Sequence, residues 1–169
     1  MLDNHMCMET QVKSMCRSLL FHIRNISSIR HLLPESAAAQ LMHSLVTSRL
    51  DYCNSLLHGI PDYRIKQLQR KQNIAARVVS RCGSPRITPV LKKLHWLPVK
   101  KRILFKLLLL VYKSVNNHAP KHLCNLFVPV EHERSHRSNH LHLLKYTKTR
   151  LKSYGDRSFL YAGVVEYME

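Results

Sequence analysis

Glycine is scarce in this chain of 169 residues: there are four, and no two are adjacent. A phosphate-binding loop of the P-loop or dinucleotide type needs clustered glycines, so the sequence excludes both kinds of nucleotide site. Few glycines and little alternation of β-branched residues also argue against a hairpin-rich β fold. We therefore expect neither a small-molecule substrate nor a cofactor.

Paired cysteines and long apolar runs are missing too. The five cysteines form no C-x-x-C pair and are odd in number, which is typical of reduced thiols in a nuclear or cytoplasmic protein. Met1 is not followed by the positively charged segment and apolar segment of a secretory signal, so we expect an intracellular protein that is not secreted. The most apolar run, residues 103–112, is much shorter than the ~20 residues of a membrane span. We expect it to form a buried core helix and predict no membrane contact.

Acidic residues are nearly absent from residues 61–110. This window holds 13 Lys and Arg residues against one acid, Asp62, and so carries +12 of the net charge of +17. A concentrated positive surface on a folded domain is typical of a protein that binds a polyanion, because each neutralised phosphate releases counterions. Aromatic residues are few in the window, so we expect phosphate contact rather than base stacking.

What is present is a series of helical periods separated by prolines. Apolar residues recur at helical spacing from about Glu9 to His31, and again between Pro34 and a break at residues 58–61. Further helices are predicted over residues 62–81, 89–95, 99–116, 120–127 and 156–167, with Asp62 and Thr88 as N-caps. The fold is predicted to be all-α: a multi-helix bundle over residues 1–128, then an irregular, loop-rich basic extension over residues 129–169.

The predicted helix over residues 62–81 is amphipathic. At about 100° per residue, its apolar side chains gather on one side, and four cations lie opposite them: Lys66, Arg70, Arg77 and Arg81. A solvated helix face normally carries interspersed acids, and this one has none after Asp62, which favours a phosphate-binding surface. Three more candidate cations open the predicted helix over residues 99–116: Lys100, Lys101 and Arg102.

The aspartates do not form a catalytic group. Nucleotidyl transfer by two metal ions needs converging carboxylates, whereas the four aspartates are far apart in the sequence: Asp3, Asp51, Asp62 and Asp156. We interpret Asp62 as a helix cap, Asp156 as a turn residue and Asp51 as the ion-pair partner of a nearby Arg. We predict no catalytic residue.

Histidines at positions 132, 136 and 140 have the i, i+4, i+8 spacing of zinc ligands on a helix. Their segment is rich in Ser, Arg and Asn, which is typical of an exposed loop, and its arginines would repel a cation. We therefore predict no metal site.

Four segments occur in a fixed order: SRLDYCNSLL at residues 48–57, LQRKQNIAAR at 68–77, ITPVLKKLHWLPV at 87–99 and YGDRSF at 154–159. Their order and spacing resemble the C-terminal part of reverse transcriptases of non-LTR retrotransposons, the LINE elements of the Jockey and chicken-repeat type. The resemblance covers about residues 2–159. It implies the helical thumb and the C-terminal extension, of which the thumb packs against the backbone of the template–primer duplex.

The resemblance also implies that the polymerase's catalytic aspartates belong to a palm domain upstream. Residues 1–9 contain no Ala-Asp-Asp motif, so we expect no polymerase activity from this chain and regard the missing palm as a natural partner. Relatives continue after the Gly-Asp-Arg motif with an Ala-Ala-Pro…Leu-Trp-Asn run. Residues 160–169 differ from it, which indicates a truncation, a frameshift or a splice junction.

The expected function is sequence-independent binding to the backbone of duplex or hybrid nucleic acid by the seven basic residues above. Two alternatives stay open. In the first, the chain is a non-functional relic reading frame of a decayed element, with an exposed and aggregation-prone apolar surface. In the second, it is a host protein that has adopted the fold for protein–protein contact.

Overall fold

The computed structural model describes residues 8–81, 83, 86–128, 144–145, 149–151 and 154–168. Over these residues the protein is helical and has no β-strand; Leu144 forms an isolated bridge, and the next residue, Lys145, donates its amide to the Val128 carbonyl at 2.8 Å. The predicted all-α class is confirmed. The predicted loop at residues 129–140 and its histidines lie outside the described residues.

Eight α-helices occur in the described part of the chain. They are α1 Glu9–Ile29, α2 Glu35–Met42, α3 Ser48–Asp51, α4 Asp62–Ser80, α5 Thr88–Lys93, α6 Val99–Val115, α7 Lys121–Cys124 and α8 Phe159–Met168. A π-helical turn over His43–Thr47 joins α2 to α3, and 3-10 turns follow α1 at Arg30–Leu32 and α3 at Asn54–Leu57.

The chain divides into two compact units, residues 1–103 and 104–169. Helix α6 begins in the first unit and ends in the second. The predicted boundary after residue 128 falls where a stretch outside the described residues begins, and it stays a prediction.

The first unit has a core formed mainly by α1 and α4, with residues from the segments that follow each. Leu68, Ala75 and Val79 on α4 are fully buried, as their helical spacing predicts, and Ile65 is partly buried against them. Helix α1 buries four residues at the same kind of spacing: Val12, Leu19, Ile23 and Ile26. Burying an aliphatic side chain of this size contributes about 1.5–3 kcal/mol, so this contact stabilises the unit.

Helices α1 and α4 lie side by side and run in the same direction. Near their first turns, Arg64 Nη2 lies 2.7 Å from Glu9 Oε2. At their far ends, the Arg30 guanidinium donates to the carbonyls of Val78 at 3.0 Å and Val79 at 2.6 Å. These carbonyls end a helix and have no partner inside it, so the buried Arg30 acts as a C-terminal cap of α4.

Both predicted N-caps are wrong by one residue. Helix α4 begins at Asp62 itself, because the Arg64 amide already bonds to the Pro61 carbonyl at 2.9 Å. Helix α5 begins at Thr88, and the Ile87 carbonyl accepts its first bond at 3.0 Å. Neither Pro61 nor Ile87 has a side chain that could bond to the free amides, so neither helix has a side-chain cap.

The second unit has its own small core. It consists of Val111, Phe127, Leu144 and Val164, and the Phe127 ring meets the Phe159 ring edge-on at 5.4 Å.

The apolar run at residues 103–112 is only partly buried, contrary to expectation. Ile103, Leu107 and Val111 are buried, whereas Phe105 is 58 % and Tyr112 is 54 % exposed. Residues four apart share one side of a helix, and the fully buried residues of the run lie on this side, whereas the leucines beside it are only partly buried.

Candidate nucleic-acid interface

Three predicted cations lie along the outer face of α4. The side chains of Lys66, Arg70 and Arg77 are exposed, and none forms an ion pair or a hydrogen bond with another described residue. They belong to the part of α4 that faces away from the buried residues, because positions four and seven apart share a side. We call these three residues the α4 row.

Arg81 ends the same face but is already engaged. It has a left-handed backbone with φ of 49° directly after α4, and its Nη2 donates to the Arg30 carbonyl at 2.6 Å. Arg30 in turn caps α4, so the two arginines tie the end of α1 to the end of α4. Arg81 is exposed, but its guanidinium supports the fold.

Lys100 and Lys101 are exposed at the start of α6. Lys100 Nζ lies 4.0 Å from Asp62 Oδ1, and both side chains are 74 % exposed, so this pair contributes little. Asp62 lies one helical turn before Lys66. Lys100 therefore lies close to the α4 row and extends it.

Arg102 is the predicted candidate whose charge is already compensated. Its side chain is 12 % exposed, its Nη1 lies 2.7 Å from Asp51 Oδ2, and its Nε donates to the Leu97 carbonyl at 2.7 Å. Asp51 does form an ion pair with an arginine, but its partner Arg102 lies 51 residues away in the sequence and is not the nearby Arg expected from the sequence. A role for Arg102 in binding stays a prediction.

An amide network fixes the start of α6 against α4. The Gln69 side-chain carbonyl accepts from the Val99 amide at 2.8 Å, and its amide donates to Gln72 Oε1 at 3.0 Å. Gln72 Nε2 donates to the Leu97 carbonyl at 2.8 Å. Gln69 thus acts as a cap supplied by another helix, and it fixes the start of α6, where Lys100 lies beside the α4 row.

Sequence reasoning missed cations on α1. Lys13, Arg17 and Arg24 are exposed, and at helical spacing they lie within about 40° of one another. The first two line a groove of about 320 Å³ between α1 and α4, together with Cys16, Gln67, Arg70 and Lys71. Their helical spacing in the sequence could have revealed them, but they lie outside residues 61–110, the window in which the basic residues were counted.

Two bases next to this groove neutralise the only acid of α1. The Glu9 carboxylate lies 2.6 Å from Lys13 Nζ and 2.7 Å from Arg64 Nη2, and hydrogen bonds from these two bases hold its pKa below the usual value. Burial disfavours the charge of Arg64, but Glu9 and Tyr63 together more than offset it and raise the pKa of the guanidinium. Arg64 also stacks on the Tyr63 ring at 4.8 Å. Arg64 therefore supports the fold, although it belongs to the basic window.

The acidic residues in the described part of the chain do not converge. No group of three His, Cys, Asp or Glu side chains among the described residues has the geometry of a metal site. Asp156 accepts a hydrogen bond from the Thr149 hydroxyl within a turn, as a turn residue would.

Within the described ranges, every helix is too short or too polar to cross a membrane.

Comparison of the chain with protein-family models, with curated proteins and with solved structures finds no match.

Proposed function

We propose that the first unit binds the phosphate backbone of duplex or hybrid nucleic acid without reading its sequence. The observation that carries this proposal is the α4 row, three exposed cations without a partner among the described residues. Lys66 and Arg77 are eleven residues apart, so the row extends over about 16 Å of helix. A row of this length faces several phosphates of one duplex, because a duplex carries a charge every ~1.7 Å of its axis.

Salt dependence is the signature of such binding. Each phosphate contact adds about 0.9 to the slope of log Kobs against log salt concentration on a duplex. The α4 row with Lys100 and Lys101 provides up to five contacts, so we expect a slope of about −3 to −5 and a Kd of roughly 10⁻⁴–10⁻⁶ M at physiological salt.

The test is a titration of a labelled duplex over a range of salt concentrations. We expect the variant Lys66→Gln/Arg70→Gln/Arg77→Gln to reduce the slope by about 2.7, because three contacts are lost. A matched control removes three exposed lysines elsewhere: Lys92→Gln/Lys113→Gln/Lys121→Gln. Binding that ignores salt would overturn the proposal, and so would an equal loss in the control, because binding would then follow net charge alone.

The proposal includes an origin of residues 1–169 in the thumb and extension of a LINE-type reverse transcriptase. In support, residues from three of the four resembling segments meet in one polar network: Asp51, Gln69, Gln72, Leu97 and Val99, and Arg102 connects Asp51 to Leu97. Such a chain would not extend a primer, and primer extension by the purified chain would contradict this origin for it.

A second candidate function is contact with another protein domain. An apolar pocket of about 240 Å³ lies beside the start of α1, lined by Met8, Gln11, Met15, Tyr52, Cys53, Leu56 and Leu57. Tyr52 is 77 % and Leu56 is 59 % exposed at its edge, which is typical of a surface that another domain covers. In the proposed origin, that domain is the palm.

Sedimentation of the purified chain tests this second function. We expect the chain to self-associate through the open pocket, and Tyr52→Lys/Leu56→Lys to restore a monomer without changing the salt slope. A wild-type chain that stays monomeric at high concentration would contradict both the uncovered interface and the aggregation-prone relic.

A further inference from the structure

The groove between α1 and α4 concentrates positive charge from two helices. Four of its six lining residues are basic: Lys13 and Arg17 from α1, and Arg70 and Lys71 from α4. Since the two helices run in the same direction, Arg24 continues the α1 side of the groove about 10 Å beyond Arg17. The groove is thus lined by cations from both helices.

The groove contains little negative charge to balance these cations. Glu9 lies at its end and is engaged by Lys13 and Arg64. Arg17, Arg70 and Lys71 have no acidic partner among the described residues. Like charges held close together repel one another, and a bound polyanion relieves that repulsion and gains from the focused field of a concave site.

We propose that this groove holds the phosphodiester backbone of one nucleic-acid strand, gripped between the cations of α1 and those of α4. The inference rests on the proposed function and specifies how one strand is held. No aromatic side chain among the described residues lines the groove, so the strand is held through its phosphates and its bases are not stacked on protein. A membrane surface is flat at this scale and does not enter a groove between two helices.

Cys16 provides a direct probe, because its half-buried thiol lines the groove. Cys53 is exposed and lines the separate apolar pocket, so it is the internal control. The experiment measures alkylation of each cysteine by peptide mass spectrometry, with and without oligodeoxythymidine. At ten times its Kd, the oligonucleotide should slow alkylation of Cys16 about tenfold, in proportion to the free protein, and leave Cys53 unchanged.

Paired variants separate the groove from the outer face of α4. The groove variant is Arg17→Gln/Lys71→Gln, and the matched outer variant is Lys66→Gln/Arg77→Gln. With single-stranded oligodeoxythymidine, we expect the groove variant to lose about 1.4 from the salt slope, because each contact to a single strand contributes about 0.7. With the same ligand, the outer variant should lose less.

The outcomes distinguish this inference from the proposed function. If the wild-type protein binds with a salt-dependent Kobs but Cys16 stays unprotected and the groove variant keeps its slope, the groove inference is wrong and the proposed function stands. If the wild-type protein binds neither oligonucleotide nor duplex, both are wrong. Protection of Cys16 by vesicles of phosphatidylserine and phosphatidylcholine, without protection by oligodeoxythymidine, would also overturn the inference. The footprint uses the wild-type chain, so it does not depend on whether the variants fold.

Discussion

Replacing Gln69 by Leu should destabilise the first unit by removing the cap of α6. The Gln69 carbonyl oxygen accepts from the Val99 amide at 2.8 Å, and Val99 is 1 % exposed, so this amide would be buried without a partner. A lost helix cap costs about 1 kcal/mol, and an unpaired buried donor costs about 1–3 kcal/mol. These two terms describe the same amide in part and do not add in full, so we expect a loss of about 1–3 kcal/mol in the free energy of unfolding.

Two further variants test the physical reason. Gln69→Glu keeps an acceptor for the Val99 amide and places a negative charge at a helix N-terminus, which is favourable by about 0.3–1 kcal/mol. Both variants lose the donor that Gln69 supplies to Gln72 Oε1 and Asn73 Oδ1, so the acceptor that only Gln69→Glu keeps should make it the more stable of the two. Gln67→Leu makes the same chemical change on α4 at a side chain that bonds to no other described residue, so its effect should stay within about 0.5 kcal/mol.

The assay is urea unfolding at 25 °C, followed by the fluorescence of the single tryptophan, Trp96. Trp96 is 8 % exposed and lies in the corner that precedes α6, so its emission reports on the capped region. Hydrogen exchange of the Val99 amide gives a second, local measurement. The reasoning is refuted if Gln69→Leu is no less stable than Gln67→Leu, or if Gln69→Glu is as unstable as Gln69→Leu.

Three other predictions follow from single residues. Leu68→Ala should lower the free energy of unfolding by about 2–5 kcal/mol in urea titrations, because Leu68 is fully buried and its truncation leaves a cavity. An effect below about 1 kcal/mol would contradict the position of Leu68 in the core. Gly59→Ala should lower the free energy of unfolding by about 1–2 kcal/mol, since Gly59 has a left-handed backbone with φ of 71°. Gly83→Ala is the control and should be neutral, because there is open space around that glycine. Equal effects of the two substitutions would contradict the turn geometry. The bases beside Glu9 lower the pKa of its carboxyl group in the folded state, so the contribution of Glu9 to stability should be present above its unfolded pKa and be lost as pH falls through the folded pKa. Unfolding measured from pH 6 to 3 should therefore show the difference in stability between wild type and Glu9→Gln closing in acid. A difference that widens in acid would reverse the assigned sign.

The sequence predicts the main helices well because their ends have local causes. Glu9, Asp62 and Val99 begin α1, α4 and α6 at or within one residue of the predicted starts, since apolar periodicity and prolines define those starts. The exposed face of α4 is also predictable, because helical geometry alone separates Lys66 and its neighbours from the buried residues. These features need no knowledge of distant contacts.

Other features could not be predicted because they depend on residues far apart in the chain. Arg64 pairs with Glu9 and Arg102 pairs with Asp51, 51 residues away, and neither pairing has a local signal. The π-helical turn over His43–Thr47 likewise interrupts a segment whose apolar spacing is that of one continuous helix. The two ion pairs depend on contacts between elements that are distant in the sequence.

The pairing pattern changes what the basic window means. Three of its arginines already serve the fold: Arg64 with Glu9, Arg81 with the end of α1, and Arg102 with Asp51. A phosphate that approached any of them would have to displace a partner, and the energy lost there would reduce the gain. Cations without partners, including Arg17 outside the window, have no such cost. The binding surface should therefore follow the unpaired cations of α1 and α4, and a substitution at Arg102 should affect stability before it affects the salt slope.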